Sequence, residues 1–255
     1  MNKLEKAIAL SKSEDNYSRP YLRPDHEHEY IKQVASMEDE HLLTQDELTD
    51  RKIIFQNSQQ KKVLNSFRDI RTALTEDRTK NVTLVTSINE KSGTSYFAAN
   101  IAAVTAFDPA RTSLLIDCNL EKPDVGNRFN IDGPGILDYM YDDTISIDDI
   151  IHKVGIERYR CIPAGKYRGS SREYFTHPRF KSLLLALKNR YQNRSIFIDA
   201  PPIMSSADTR ILLEVCDQAI MIVPFGGVSE KAITSACKII PKDKIAGVVL
   251  NDYIQ

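Results

Sequence analysis

Residues 84–102, LVTSINEKSGTSYFAANIA, place an apolar strand, a polar loop and an alanine-rich helical segment in direct succession. The strand is predicted to end at Ser87, and the helix to begin near Thr94. A loop between a buried strand and the start of a helix is the layout of a phosphate-binding loop, because backbone N–H groups and the helix N-terminus hold an anion together. The stretch therefore predicts an α/β fold with an anion site at one strand end.

The loop departs from the common phosphate-binding motif G-x-x-x-x-G-K-[ST] at two positions. Gly93 and Ser95 match the motif, whereas Thr94 stands at the lysine position and the first glycine of the motif is replaced. Gly93, Thr94 and Ser95 are still candidate nucleotide-binding residues, because backbone donors do not depend on the side chain. Since threonine carries no charge, we expect ATP or ADP to bind weakly or not at all. Three cations could approach the loop, although such side chains are more often solvated: Lys91, Lys122 and Arg210.

Apolar segments alternate with helical stretches along the rest of the chain. Several segments are nearly continuous in Val, Ile and Leu, which is typical of strands buried on both faces of a parallel sheet. The predicted strands are 81–87, 113–119, 161–165, 195–201, 218–225 and 245–251. The predicted helices are 95–105, 178–191, 209–216 and 230–240. This order predicts a doubly wound, mainly parallel sheet flanked by helices, with ligands at the carboxyl ends of the strands.

Two of the predicted strands close with an aspartate, Asp117 in SLLIDCN and Asp199 in SIFIDAP. Carboxylates at this edge can hold Mg²⁺ or orient water, so both are candidate catalytic and metal-binding residues, with Ser95 as a further Mg²⁺ ligand. A helix cap or loop hydrogen bond is the alternative for Asp117, and a purely structural role is the alternative for Asp199. Asp208 is predicted to cap a helix that begins at Thr209.

The first 50 residues are polar and predict a flexible N-terminal extension. Its tip is the exception, because Leu4 and Ile8 form one face of a short helix. The pair His26 and His28 lies in a charged segment, where a solvated role is more common than metal binding.

Residues 51–80 are predicted to form an amphipathic helical segment that packs on the domain formed by residues 81–255. A helix over 58–75 is indicated by apolar residues at helical spacing: Val63, Phe67, Ile70 and Leu74. Arg68 and Arg71 lie one turn apart on an adjoining face. They form either a contact surface or a solvated face.

The composition narrows the functional classes. Lys plus Arg number 34 and Asp plus Glu number 35, for a net charge of -1, so a generic nucleic-acid binder is not expected. No apolar run approaches the roughly 18 residues that a membrane helix needs, and the first residues are too charged for a signal peptide. Four scattered cysteines without a CxxC pair predict no structural zinc. We expect a cytoplasmic protein with no metal other than Mg²⁺.

The motif order resembles the bacterial tyrosine kinases of exopolysaccharide synthesis, relatives of the ParA/MinD group of P-loop ATPases. The matching blocks are FRxxRT, VTS-loop-GxS, ANIA, LLIDxNLxKP, IPAG and FIDAPP, over roughly residues 60–252. The resemblance implies an ATP site in which Asp117 and Asp199 belong to the acidic motifs. It also implies ring assembly through a glutamate–arginine–arginine helix, in which Arg68 and Arg71 match the arginines. A membrane-embedded chain-length regulator, or polysaccharide co-polymerase, is the implied partner.

Departures from the family pattern are as informative as the matches. The family's phosphate-loop lysine is Thr94, the second aspartate of its DxD block is Asn119, and its ring-helix glutamate is Asn65. The family's terminal tyrosine cluster is reduced to Tyr253. These changes favour a degenerate member that regulates polysaccharide assembly at the inner face of the cytoplasmic membrane. Its self-association is expected to be weak, or to involve an intact relative. The alternatives are an active tyrosine autokinase with an unusual loop and a ParA-like positioning ATPase.

Overall fold

A single seven-stranded sheet forms the centre of the computed structural model, which describes residues 41–77, 79–166, 174–190 and 193–251. In chain order the strands are β1 (Val82–Ser87), β2 (Thr112–Asp117), β3 (His152–Lys153), β4 (Tyr159–Ile162), β5 (Arg194–Asp199), β6 (Gln218–Pro224) and β7 (Ile245–Asn251). Their spatial order is β3-β4-β2-β5-β1-β6-β7. All neighbours are parallel except β3 and β4, which confirms the predicted mainly parallel, doubly wound sheet.

Helices connect the strands and cover both sides of the sheet. They are α1 (Gln45–Asp50), α2 (Lys61–Thr75), α3 (Thr94–Ala106), α4 (Val125–Phe129), α5 (Ile136–Tyr141), α6 (Pro178–Arg190), α7 (Ala207–Val215) and α8 (Glu230–Cys237). A short 3₁₀ turn, Tyr174–Thr176, precedes α6.

Side chains of the central strands alternate between two cores. One core joins the strands to α5, α6, α7 and α8 and contains Leu84, Leu114, Ile116, Ile196 and Ile198. The opposite core joins them to α2, α3 and α4 and contains Val85, Leu115, Phe197, Ile220 and Ile222. Because the period of a strand is two, apolar residues at consecutive positions are needed to fill both cores, which explains the continuous apolar runs.

Helix α3 lies directly on the sheet and is buried almost throughout. Its alanines let it approach the strands closely, and α2 packs on its outer side, with the Phe67 and Phe97 rings stacked at 5.2 Å. Helix α2 of the amphipathic segment therefore lies against α3. The predicted apolar stripe is wrong at Val63, which is 37% exposed, because Leu64 takes the buried position instead.

Several element boundaries differ from the prediction for local reasons. The helix predicted to begin at residue 58 begins at Lys61, after turns at 56–57 and an uncapped Gln60. β4 begins at Tyr159 and ends before Pro163, which lacks the N–H that a strand donates. Helix α7 is capped by Ser206, whose side chain accepts from Thr209 N, so Asp208 lies in the first turn and is not the cap. The short elements α4, α5 and β3 were not predicted, since they have too few residues to show a period.

The segment just before α1 contacts the connection between β3 and β4. Leu43 N donates to Gly155 O at 2.8 Å, and Thr44 with Glu47 forms a capping box for α1. This helix lies inside the segment that the sequence assigned to the extension. The predictions for Leu4, Ile8, His26 and His28 concern residues outside the described part.

Candidate functional site

The loop between β1 and α3 is folded by its own polar groups. The hydroxyls of Ser87 and Ser92 donate to the Asn89 carbonyl, at 2.8 Å and 2.7 Å. Lys91 adopts a left-handed backbone conformation with φ 59°, which is uncommon for a residue with a β-carbon. The loop therefore has a defined shape before any ligand binds.

Gly93 ends the loop in the left-handed region, with φ 84°, and α3 begins at Thr94. A β-carbon on Gly93 would lie 2.3 Å from Asn251 Nδ2, so only glycine fits at this point. Asn251, at the end of β7, donates from Nδ2 to Ser92 O at 3.0 Å and holds the loop from the opposite side. No described side chain caps the N-terminus of α3. This arrangement presents the helix start, including Ser95, toward the carboxyl edge of the sheet, as an anion site requires.

Asp117 ends β2 and organises the segment that follows. Its Oδ1 accepts from Asn119 N at 3.1 Å, and its Oδ2 accepts from Asp124 N and Val125 N at 2.9 Å and 3.0 Å. Of the two roles left open by the sequence, the loop hydrogen bond is thus observed directly. The backbone donors leave limited capacity on this carboxylate for a metal ion.

Asp199 ends β5, directly opposite Asp117 in the strand register, and is fully buried. Neither of its carboxyl oxygens has a hydrogen-bond partner among the described residues. A buried carboxyl group without partners is costly unless a cation or a proton satisfies it. Of the two candidate metal-binding aspartates, Asp199 is therefore the one whose carboxyl oxygens are available to coordinate a metal ion.

The surroundings raise the pKa of both aspartates. Burial raises the pKa of Asp117 from 3.8 to about 6, although the three backbone N–H groups oppose the rise. Burial, and then the adjacent Asp117, raises the pKa of Asp199 well above 3.8. Ser95 lies close enough to Asp199 to oppose this rise, but it makes no hydrogen bond of ordinary geometry to either oxygen. The structure thus brings Ser95, Asp117 and Asp199 together at one edge.

One ion pair joins the segment after β2 to the phosphate-loop segment. Lys122 Nζ lies 2.6 Å from Glu90 Oε2, and both side chains are largely exposed, at 63% and 60%. Lys122 follows the turn in which Lys122 N donates to Asn119 O at 3.1 Å. All three cations considered from the sequence, Lys91, Lys122 and Arg210, are exposed, and Lys122 contacts the loop through its pair with Glu90.

The two candidate interface arginines have different surroundings. Arg68 is exposed on α2, and no described carboxylate lies within ion-pair distance of it. Arg71 is half-buried, and its Nη1 donates to Val104 O, near the C-terminus of α3, at 3.4 Å. Arg71 therefore has a contact inside the chain, and only Arg68 is fully presented at the surface.

Two asparagines that sequence reasoning did not single out make hydrogen bonds between distant segments. Asn251 contacts the phosphate loop as described above. Asn100 is buried in α3, where its Oδ1 accepts from Ile54 N at 2.6 Å and its Nδ2 donates to Lys52 O at 3.0 Å. A polar residue within the apolar run FAANIA was the available signal for Asn100. Asn251 had none, because its partner is 159 residues distant in sequence.

Known proteins with similar sequences give this geometry a context. The tyrosine-protein kinase CpsD of Streptococcus agalactiae is 27% identical over 214 residues, which are 82% of this chain and 89% of CpsD. The tyrosine-protein kinase YwqD of Bacillus subtilis is 26% identical over 197 residues, covering 74% of this chain and 82% of YwqD.

The relatives of this chain are bacterial tyrosine-protein kinases. EpsB of Ralstonia nicotianae, a candidate tyrosine-protein kinase, is 30% identical over 166 residues. These residues are 64% of this chain but only 22% of EpsB, so the chain spans less than a quarter of that relative. No protein-family model matches the chain.

Solved structures place the fold among the same kinases and the ParA-type ATPases. The chimerical protein CapA2B2 superposes with a TM-score of 0.73 at 21% identity, over 90% of this chain and 100% of that one. The kinase domain of the Escherichia coli tyrosine kinase ETK gives 0.69 at 21% identity, over 75% and 76%. A ParA family ATPase from Chlorobium tepidum gives 0.51 at 19% identity, over 68% and 74%. The fold is therefore that of the P-loop ATPases.

Neither a membrane span nor a histidine- or cysteine-rich metal site is found in the described part of the chain. No helix there is both long and apolar enough to cross a bilayer. No group of three or more His, Cys, Asp and Glu side chains could hold a metal ion there. Two carboxylates with one hydroxyl do fit Mg²⁺, which proteins commonly bind through one or two carboxylates together with substrate phosphates.

Proposed function

We propose that this chain is a tyrosine-kinase-like P-loop protein of exopolysaccharide or capsule synthesis that acts by binding, as a regulator, and phosphorylates poorly or not at all. The observation that carries the proposal is Thr94 at the first position of α3. The resemblance places a lysine there, and the charge of that lysine stabilises the β- and γ-phosphates during phosphoryl transfer.

Thr94 changes the charge that surrounds the transferred phosphoryl group. A threonine hydroxyl donates a hydrogen bond but carries no charge, and it leaves the charge that develops in the transition state without its main protein cation. Asn119 removes a second ionisable group from the same edge. Backbone donors at the start of α3 are unaffected by these substitutions, so weak ATP or ADP binding is retained while phosphoryl transfer is impaired.

The residues present fit Mg²⁺ bound together with a nucleotide. Asp199 would be a ligand through its unpartnered oxygens, Ser95 through its hydroxyl, and Asp117 would position the segment beside them. Mg²⁺, when bound, would neutralise phosphate charge that the protein's own loop does not. The chain's contribution is then to hold the phosphates at the helix start and to keep Asp199 aimed at the metal ion.

Two alternatives predict different activities. An active tyrosine autokinase would phosphorylate itself in Mg-ATP despite Thr94, and a ParA-like positioning ATPase would hydrolyse ATP without forming phosphotyrosine. The FIDAPP and IPAG blocks favour the polysaccharide branch over the ParA branch.

Incubation with Mg-ATP separates these readings. We expect no phosphotyrosine by antibody detection and only slow release of phosphate, with weak ATP binding by calorimetry. A self-phosphorylated product would establish the autokinase instead. ATP turnover without phosphotyrosine would favour the positioning ATPase.

The partner is proposed to be a membrane chain-length regulator, or polysaccharide co-polymerase, with the chain peripheral at the inner face of the cytoplasmic membrane. Leu4 and Ile8 would supply a small apolar docking stripe. Deletion of residues 1–10 should reduce co-purification with membranes that contain the partner. Unchanged recruitment would exclude the tip from this role.

A further inference from the structure

We infer that Lys122 is a phosphate-binding residue that is held by Glu90 until a nucleotide arrives. In the free protein Lys122 pairs with the Glu90 carboxylate, and on nucleotide binding it exchanges that carboxylate for the phosphates. The pair thus supplies the positive charge that the loop lacks and, at the same time, limits affinity. This inference rests on the proposed nucleotide site.

The pair of Lys122 and Glu90 lies at the carboxyl edge of the sheet. Lys122 lies in the segment after β2, five residues beyond Asp117, and its ammonium group reaches Glu90 across the gap between two loops. Both loops leave the same carboxyl edge of the sheet, where Asp117 and Asp199 are paired in register. A cation that bridges these loops is at the mouth of the site that the phosphates must enter.

The loop between β1 and α3 carries a negative side chain of its own. Glu90 and Lys91 are the only ionisable residues between Ser87 and Thr94. A carboxylate in a phosphate-binding loop repels the incoming anion, and Lys122 cancels that charge while lowering the pKa of Glu90 through its hydrogen bond. Glu90 therefore competes with the phosphates of a nucleotide for the Lys122 ammonium group.

Exchange of the Glu90 carboxylate for phosphates costs Lys122 little free energy. Exposed lysine–carboxylate pairs contribute little to stability, about 0–1 kcal/mol, because water screens them and both side chains lose freedom. Both partners here are more than half exposed. A polyphosphate with several negative charges therefore outcompetes a single carboxylate for the same ammonium group, and among the described residues Glu90 is the side chain that Lys122 must release.

The test is a double-mutant cycle on the full chain, read as Mg-ATP affinity by calorimetry. Glu90→Gln should tighten binding about threefold to tenfold, because Lys122 is released and a repulsive charge is removed. Lys122→Met should weaken binding by a similar factor. In the Glu90→Gln background, Lys122→Met should weaken binding by more than it does in the native chain. Adenosine, which has no phosphates, should show none of these differences.

Two further lysines separate a specific contact from general electrostatics. Lys242→Met removes an exposed charge just before β7, at the opposite edge of the sheet, and should leave affinity unchanged. Lys91→Met removes a charge from the phosphate loop itself and should cost less than Lys122→Met.

Three outcomes would overturn the inference. Equal affinities of Glu90→Gln with and without Lys122→Met would show that Lys122 does not contact phosphate. If Lys91→Met lowers ATP affinity as much as Lys122→Met does, then either Lys91 binds the phosphates or the effect depends only on net charge. If neither the native chain nor any variant binds ATP, Thr94→Lys included, the chain has no nucleotide site and the proposed function is wrong. If the native chain binds ATP and the loss of Lys122 changes nothing, only the role of Lys122 is wrong.

Discussion

Asp117 and Asp199 are paired across neighbouring parallel strands, yet the carboxyl group of Asp117 accepts three backbone N–H groups and that of Asp199 accepts none. Register places the two side chains at the same height, and the chain that follows each strand makes the difference. After β2 the backbone turns back over Asp117, whereas after β5 two prolines lead it away and offer no N–H. One aspartate is built into the loop, and the other is left to a cation or a proton.

The first prediction is an unusual dependence of stability on pH without Mg²⁺. The pKa of Asp117 is raised from 3.8 to about 6, so the folded state favours its protonated form. Its contribution to stability is complete below pH 3.8 and is lost as the pH rises through about 6, with the same sign for Asp199. Exposed carboxyls with lowered pKa values are already ionised above pH 5. We expect the free energy of unfolding to be ~1–3 kcal/mol higher at pH 5 than at pH 7.5.

Asp199→Asn isolates this effect, because the amide stays neutral at both pH values. The variant should gain stability relative to the native chain at pH 7.5 and show little difference at pH 5, in denaturant unfolding. Added Mg²⁺ with nucleotide should stabilise the native chain but not the variant. Mg²⁺-dependent nucleotide binding that is unchanged in the variant would remove Asp199 from the metal site.

The second prediction concerns the missing charge in the loop. Thr94→Lys should tighten ATP binding about tenfold or more, since it places an ammonium group at the helix start beside the phosphates. Thr94→Val is the matched control, because it keeps the shape without charge or hydroxyl, and it should give no gain. A folded Thr94→Lys variant without improved affinity would indicate that the loop no longer has phosphate-binding geometry.

The third prediction concerns the contact between the loop and β7. Gly93→Ala combines a left-handed backbone with a β-carbon 2.3 Å from Asn251 Nδ2, so we expect a loss of ~1–3 kcal/mol in stability and a loss of ATP binding. Asn251→Ala alone should cost ~1 kcal/mol, from the hydrogen bond to Ser92 O. The double variant should recover part of the stability by thermal unfolding, because the clash is gone. Full additivity would mean that the two residues do not interact.

The sequence predicted the sheet well because buried parallel strands have continuous apolar runs, and these locate Asp117 and Asp199 at strand ends without further information. It also predicted the position of the loop between β1 and α3, since the change from strand to helix is sharp at Gly93. What it did not predict depends on contacts between distant segments. The hydrogen bond from Asn251 to the loop between β1 and α3 arises only when β7 and β1 belong to the same folded sheet. The Lys122–Glu90 pair likewise joins residues 32 positions apart.

The last prediction separates the two arginines of α2. Arg71 donates to Val104 O near the C-terminus of α3, so Arg71→Ala should lower stability by ~0.5–1 kcal/mol and, through that, blur any effect on assembly. Arg68 is exposed, and Arg68→Ala should leave stability within about 0.5 kcal/mol of the native value. If Arg68 contacts a second chain, this variant should lower the molar mass in light scattering across concentration.

Lys62→Ala, an exposed charge on the same helix, is the matched control and should leave molar mass unchanged. Asn65 cannot neutralise a guanidinium group. A glutamate at this position would add charge-assisted contacts of ~1.5–3 kcal/mol each, so we expect the native chain to self-associate more weakly than a chain with that glutamate. Asn65→Glu should then strengthen self-association, provided that Arg68 is intact. A stable oligomer that survives Arg68→Ala would place the interface elsewhere. A native chain that stays monomeric beside the proposed membrane partner would count against assembly like that of ring-forming kinases.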